Sequence, residues 1–168
     1  MEEKQRIGFS HVIMMCGVCG SGKTTYAKMK ETKGYVRLSI DETMWKEYGQ
    51  CGIDYPAEKH EELSSVVEEH LRQQLMEFIR IGKNVVIDFS FWSQKNRTFY
   101  RKLIQEAGAD VSLIYCKADI EILRKRLKIR NQEVDANSVI VTDEILEHHY
   151  YGFEEPTDNE KAIILTQK

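Results

Sequence analysis

The chain has 168 residues, of which 42% are hydrophobic and 30% charged, a composition typical of a soluble globular domain rather than a disordered or membrane-embedded chain. Its net charge of −3 disfavours strong nonspecific nucleic-acid binding, which usually requires a basic excess, although a local basic groove stays open. The longest apolar run near the start, residues 12–16, is too short for a membrane span or a signal-peptide core, so we expect a cytoplasmic protein with no membrane partner.

Short apolar runs alternate with helical patterns along the chain, which is typical of an α/β fold with a mainly parallel sheet. Ser39 and Glu42 have the spacing of a capping box, and Ser93 and Asp119 are predicted to cap later helices. The predicted order is strand 11–16, helix 22–31, strand 35–39, a short helix from Ser39, helix 57–81, strand 84–88, helix 93–107, strand 111–116, a helix from Asp119, helix 141–151 and strand 162–165.

A glycine-rich loop after the first predicted strand matches the Walker A pattern G-x-x-x-x-G-K-[ST]. Glycines let backbone N–H groups turn toward phosphate oxygens, and the N-terminus of the next helix adds partial positive charge. Lys23 is expected to reach the β- and γ-phosphates of ATP, and the Thr24 hydroxyl to coordinate Mg²⁺. The predicted nucleotide-binding residues are Gly17, Val18, Cys19, Gly20, Ser21, Gly22, Lys23, Thr24 and Thr25.

Cys16 and Cys19 also have the C-x-x-C spacing of redox pairs and of half a zinc site. A zinc site needs a second ligand pair, which the sequence does not offer. The loop motif therefore explains these cysteines better, and the histidines are predicted to be surface or core residues.

The class of phosphate-loop protein follows from the motifs around the loop. The N-K-x-D and D-x-x-G motifs of small GTPases are missing, and the third predicted strand ends in one acidic residue, Asp88, rather than in the acidic pair of motor ATPases. A short chain with a long helical segment and a late basic segment favours a small-molecule kinase, which needs an acceptor region and a lid that excludes water. We predict a single domain, residues 1–168, with the acceptor-side segment at about 41–82 and the lid at about 126–138.

The segments GVCGSGKTTYA, RLSIDE, NVVIDFSFW, EILRKRLKIRN and FEEPTDNE resemble those of small bacterial P-loop predicted kinases with an AAA domain, which are related to zeta toxins, chloramphenicol phosphotransferases and polynucleotide kinase. The resemblance covers nearly the whole chain in the same order. It implies a five-stranded parallel sheet in the order 2-3-1-4-5 with helices on both faces. Most members of this family have no established substrate, so the resemblance leaves the acceptor open.

Two carboxylates follow predicted strands, where ligands bind in open α/β sheets. The resemblance implies that Asp41 orients and deprotonates the acceptor hydroxyl; alternatively it only adds favourable charge to the first turn of a helix. Asp88 is expected to hold Mg²⁺ through water or to orient the acceptor; alternatively it caps the following turn.

Three arginines are candidates for phosphate or acceptor contacts. The resemblance implies that Arg97 points toward the acceptor or the transferred phosphate, although a solvated salt-bridge face explains it equally well. Arg126 and Arg130 are four residues apart on one helix face, and guanidinium groups fork onto phosphate oxygens. The alternative for this pair is a solvated basic face. The predicted catalytic residues are therefore Lys23, Asp41, Arg126 and Arg130, and the predicted substrate-binding residues are Asp41, Asp88 and Arg97.

These predictions favour an ATP- and Mg²⁺-dependent phosphotransferase that acts on a hydroxyl of a small molecule. An ATP-binding or ATP-hydrolysing regulatory module, a toxin-type kinase and a polynucleotide 5′-hydroxyl kinase remain as alternatives. The acidic balance disfavours the last of these. Trp45, Trp92 and Phe153 are aromatic residues that either line an acceptor pocket or fill the core.

Overall fold

The computed structural model describes residues 9–133 and 140–167, and these ranges form a layered α/β structure. Two short 3₁₀ turns, Ala57–Lys59 and Asp158–Glu160, lie between the longer elements. The elements in chain order are β1 His11–Cys16, α1 Lys23–Glu31, β2 Val36–Leu38, α2 Ile40–Tyr48, α3 His60–Arg80, β3 Val85–Ile87, α4 Gln94–Glu106, β4 Asp110–Lys117, α5 Ile120–Arg130, α6 Asp143–Gly152 and β5 Ile163–Thr166.

The sheet has the strand order β2-β3-β1-β4-β5, and every pair is parallel, which confirms the predicted order. Met14 of β1 lies opposite Ile87 of β3, so these two strands end side by side. The Gly17 N–H donates to the Ser90 carbonyl at 3.1 Å just beyond the strand ends. The register therefore brings the glycine loop next to the segment that follows β3.

The two faces of β1 pack against different helices, as expected for a strand buried on both sides. Met14 belongs to a buried cluster with Leu71 and Leu75 of α3, whereas Met15 belongs to a cluster with Ala27 of α1. Continuous apolar sequence in β1 therefore supplies two cores, one on each face of the sheet.

The helix starts follow the predicted caps in two of three cases. Ser39 accepts a hydrogen bond from the Glu42 N–H at 3.2 Å, and Ser93 accepts one from the Asn96 N–H at 3.2 Å. Asp119 precedes α5 but makes no side-chain capping bond. The long central helix begins at His60 rather than at residue 57, because a 3₁₀ turn follows Pro56.

The predicted lid is described only in part. Residues 126–130 lie on α5, and residues 134–138 lie outside the described ranges. The Asn131 amide donates to the Val141 carbonyl at 3.0 Å and accepts from the Val141 N–H at 3.1 Å, which joins the two flanks of this segment. Among the helices that the structure describes, none is both long and apolar enough to cross a membrane.

Candidate active site

A cavity of about 1250 Å³ opens where β1 and β3 end, at the carboxyl edge of the sheet. Its phosphate-loop side is formed by residues 17–20 and 22–25 together with Arg126, Arg130 and Gln167. Its helical side is formed by residues from α2, α3 and the segment after β3, namely Ile40, Asp41, His60, Glu61, Ser64, Phe89, Ser90 and Trp92. The volume exceeds that of most single-ligand pockets, so the cavity has room for two ligands.

The glycine loop has the backbone that a phosphate cradle requires. Gly20 and Gly22 have φ values of +82° and +97°, in the left-handed region that favours glycine. The buried Ser21 hydroxyl has no hydrogen-bond partner among the described residues, although buried polar groups are normally paired. The turned backbone and the N-terminus of α1 fit an anion such as a nucleotide phosphate.

Replacing Gly17 with alanine is expected to weaken nucleotide binding at least tenfold, measured by calorimetric titration with ATP. An added Cβ would lie 2.6 Å from both the Cys116 carbonyl oxygen and the Ser21 hydroxyl oxygen, which forces the loop to move. Gly108→Ala is the matched control, because Gly108 also has a positive φ but no atom within 4 Å of an added Cβ. Equal loss of ATP binding in both variants would contradict the steric argument.

Lys23 lies folded over the loop that precedes it. Its ammonium donates to the Gly17 carbonyl at 2.9 Å and to the Val18 carbonyl at 3.1 Å. Burial lowers the pKa of this lysine, and the Asp88 carboxylate opposes the change. The ammonium group is therefore held at the loop carbonyls. Lys23 also lines the cavity in which the phosphates of ATP are expected to bind.

Thr24 and Asp88 meet directly, as the Walker A pattern and the parallel register together require. The Thr24 hydroxyl donates to Asp88 Oδ2 at 2.9 Å, and the Arg37 guanidinium donates to the same oxygen at 3.3 Å. Arg37 also donates to Glu42 Oε2 at 3.0 Å. In the sequence, Arg37 stands out only as a charged residue inside a predicted strand. That position alone did not indicate Asp88 or Glu42 as its partners.

The Thr24–Asp88 pair fits a magnesium ion by its chemistry. Mg²⁺ prefers oxygen ligands and usually takes one or two from protein, with phosphates and water completing its shell. A hydroxyl and a carboxylate beside the phosphate cradle meet that need. The described part of the chain has no group of three His, Cys, Asp or Glu side chains that could form a metal cage by itself.

Asp41 lies in the first turn of α2 and faces the cavity. The Asp41 side chain is exposed to water within the cavity, whose walls partly desolvate its carboxylate. This desolvation raises the pKa of the Asp41 carboxyl, the Asp88 carboxylate adds to the rise, and Lys23 and Arg130 oppose it. Asp41 therefore lies close enough to Lys23 and Arg130, on the phosphate-loop side, to interact with their charges.

The arginines of α5 divide between the cavity and the surface. Arg126 donates to the Gly20 carbonyl at 3.2 Å and to Gln167 Oε1 at 3.1 Å, and Arg130 lines the same cavity. The buried Nε of Arg130 has no hydrogen-bond partner in the described ranges. Arg124 instead pairs with Glu147 at 2.8 Å on the surface. Only part of this basic segment is therefore a solvated face.

The structure corrects the expectation that Arg97 faces the acceptor. Arg97 is only 1% exposed and does not line the cavity. Its guanidinium donates to the two carboxylate oxygens of Glu160 at 2.7 and 3.3 Å, and to the Phe91 carbonyl at 2.7 Å. Its hydrogen bonds hold the segment after β3 rather than a ligand.

Two unexpected histidines line the cavity, together with Trp92 and Phe153, two of the three aromatic residues considered for an acceptor pocket. The His60 ring lies 2.7 Å from the Tyr55 hydroxyl, and the His149 ring lies 3.8 Å from the Cys19 sulfur. Burial lowers the pKa of His149. Trp92 is 46% exposed at the cavity wall. Spacing along the chain did not indicate the histidines, because each reaches the cavity through the packing of its helix.

A Walker A loop between β1 and α1, in a parallel sheet of this order, defines a P-loop nucleotide-binding fold of the kinase type. Over residues 12–156 the chain matches the model of a protein family described as an AAA domain. The protein belongs to this family. No curated protein matches it in sequence.

Several solved structures share the fold. The chain is similar to one from the Pnkp1/Rnl/Hen1 RNA repair complex, with a TM-score of 0.71 and 19% identity over 96% of this chain, and it spans 48% of that chain. It is similar to a gluconokinase from Sinorhizobium meliloti, with a TM-score of 0.60 and 17% identity over 96% of this chain and 84% of that one. It is also similar to an APS kinase from Mycobacterium tuberculosis, with a TM-score of 0.58 and 17% identity over 95% and 89%. At these identities the likeness shows the fold alone.

Proposed function

We propose that the protein is an ATP-dependent phosphotransferase that moves the γ-phosphate of ATP to a hydroxyl of a second, smaller molecule. The observation that supports this most is the position of Asp41. Its carboxylate lines the same cavity as the phosphate loop but comes from a different element, the first turn of α2. A module that only binds ATP has no need of a carboxylate at this place, whereas transfer needs a group that accepts the hydroxyl proton.

The transfer assigns one task to each of these residues. The acceptor oxygen forms a bond to the γ-phosphorus as the bond from the γ-phosphorus to the bridging oxygen breaks, leaving ADP. Asp41 takes the hydroxyl proton during this step. Lys23, Arg126 and Arg130 stabilise the negative charge on the oxygens of the γ-phosphoryl group during its transfer. Thr24 and Asp88 would hold Mg²⁺, which supplies charge neutralisation at the β- and γ-phosphates when bound.

The direct test follows phosphate from γ-labelled ATP in the presence of pooled metabolites. The expected result is a labelled product other than inorganic phosphate, which disappears in the Lys23→Ala variant. Labelled inorganic phosphate as the sole product, at a rate unaffected by any pool, would instead indicate an ATP-hydrolysing regulatory module.

Replacing Arg126 with alanine is expected to lower kcat about 100-fold and to raise the KM for ATP much less. A guanidinium beside the loop stabilises charge that develops in transfer, and removing one such donor typically costs about 10²–10³ in rate. Steady-state kinetics at varied ATP concentrations would measure both constants. Arg124→Ala is the matched control on the same helix, because Arg124 pairs with surface carboxylates. Equal effects of the two substitutions would contradict a role specific to Arg126.

A further inference from the structure

We infer that the phosphate acceptor is a hydroxyl compound without a carboxylate, phosphate or sulfate group, either neutral or bearing an ammonium group. The inference deepens the proposed function and rests on it. It comes from the charges on the helical side of the cavity, where Asp41 lies and where the acceptor would therefore bind. It separates this protein from kinases whose acceptors are anions.

The helical side contributes carboxylates and no strong cation. Asp41 from α2 and Glu61 from α3 both line the cavity, with Ser64 one turn beyond Glu61. Within the described ranges, no lysine or arginine from α2, α3 or residues 88–93 lines the cavity. His60 is the one basic side chain of this side in those ranges, and its ring is hydrogen-bonded to the Tyr55 hydroxyl.

The cations that do line the cavity belong to the other side. Lys23 is held at the loop carbonyls, Arg126 at the Gly20 carbonyl, and Arg130 lies one turn beyond Arg126 on α5. Lys28 lies on α1, where its charge acts on Glu42. A triphosphate carries about four negative charges, so these cations are needed to balance the donor. None of them belongs to α2, α3 or residues 88–93, the elements that form the helical side.

An anionic acceptor would also work against the proposed base. It would place a third negative charge beside Asp41, whose pKa is already raised by burial and by the Asp88 carboxylate. A further rise would leave more of Asp41 protonated and unable to accept the hydroxyl proton. A neutral acceptor leaves this balance unchanged, and an ammonium group improves it.

Trp92 provides a surface that suits such an acceptor. Its ring is 46% exposed and packs beside Gly152, where an added Cβ would lie 3.2 Å from the ring. Aromatic faces bind the C–H faces of polyhydroxyl compounds by burial of apolar area and bind ammonium groups through cation–π attraction. A carboxylate group gains no cation–π contact, so the ring favours an ammonium-bearing acceptor over an anionic one.

The test uses a bacterial metabolite extract divided by anion exchange into an unbound fraction, neutral and cationic, and a bound, anionic fraction. Each fraction is incubated with the full chain, Mg²⁺ and γ-labelled ATP, and a 5′-hydroxyl oligonucleotide forms a third arm. The expected result is a labelled product from the unbound fraction, at a rate at least tenfold above the other two arms. Labelling mainly in the anionic fraction or on the oligonucleotide would overturn the inference and leave the proposed transfer standing. Absence of transfer in all three arms would overturn the proposed function itself.

A charge-reversal pair then tests the helical side directly. Glu61→Arg is expected to lower kcat/KM for the unbound fraction at least tenfold. Glu62→Arg is the matched control, since Glu62 pairs with Lys59 on the surface and does not line the cavity, and it is expected to stay within twofold of the native chain. Equal kcat/KM in the two variants would contradict the part assigned to Glu61.

Discussion

Replacing Asp41 with asparagine is expected to lower the rate of phosphate transfer by about 10²–10⁴, the range that a positioned general base contributes. Asparagine has nearly the same shape but does not take a proton at neutral pH. Affinity for ATP should stay within twofold, because the nucleotide contacts expected from the glycine loop and Lys23 are untouched. Single-turnover transfer and calorimetric ATP titration measure the two quantities separately.

The same substitution separates the catalytic role from a purely structural one. If Asp41 served only to complement the dipole of α2, asparagine would lower stability by about 0.3–1 kcal/mol and leave transfer intact. The raised pKa predicts the opposite sign. The folded protein disfavours the carboxylate, so a destabilising contribution appears as pH rises past the ordinary aspartate value of about 3.9 and is complete above the raised pKa of Asp41.

Asp41→Asn should therefore raise the melting temperature at pH 7 and have little effect on it below the ordinary aspartate pKa. Thermal unfolding of both chains across this pH range measures the difference. A lower melting temperature at pH 7 together with unchanged transfer would contradict the assigned role. A higher melting temperature with lost transfer would indicate that the Asp41 carboxylate lowers stability but is required for transfer.

Replacing Arg97 with alanine is expected to lower the free energy of unfolding by about 3–5 kcal/mol, because it leaves a buried carboxylate without its partner. Glu160 is 8% exposed and loses its charged partner, since the hydrogen bonds that remain to its carboxylate come from Thr157. Urea denaturation measures the loss. Arg80→Ala removes an exposed arginine that is paired with Glu77 and should leave stability nearly unchanged.

Arg97→Ala should also disturb the cavity wall, because Arg97 donates a hydrogen bond to the segment after β3. Phe91 has a φ of +45°, a strained conformation for a bulky residue, and its carbonyl accepts from Arg97. On either side, the Ser90 carbonyl accepts from the Gly17 N–H and the Trp92 carbonyl accepts from the Glu154 N–H. This segment carries Phe89, Ser90 and Trp92, which line the cavity, so its release should also weaken transfer.

A double variant distinguishes the structural role of Arg97 from a direct contact with substrate. Arg97→Met combined with Glu160→Leu removes both buried charges and should recover a large part of the lost stability. If transfer recovers with it, Arg97 acts through the fold. If Arg97→Ala kept the wild-type stability but lost transfer, the result would instead support the direct contact with substrate that the resemblance implied.

Sequence patterns that span only a few residues determined most of the secondary structure and the phosphate loop of this protein. The Walker A motif placed a glycine loop between a strand and a helix, apolar runs placed the strands to within one residue at each end, and the Ser39 and Ser93 caps were correct. These signals depend on backbone geometry over at most a few turns, so the local sequence is sufficient to define them. The strand order required the family resemblance as well.

Only the tertiary structure decided which charged side chains meet. Arg97 and Glu160 are 63 residues apart, and Arg37 and Asp88 are 51 apart. Pairing over such distances depends on which elements pack together, and an arginine with no visible partner in the sequence is equally compatible with solvent, ligand or a buried ion pair. His60 and His149 reached the cavity for the same reason. The sequence by itself therefore determined the phosphate loop and the order of elements, and packing decided the acceptor side, because long-range charge pairing has no local pattern.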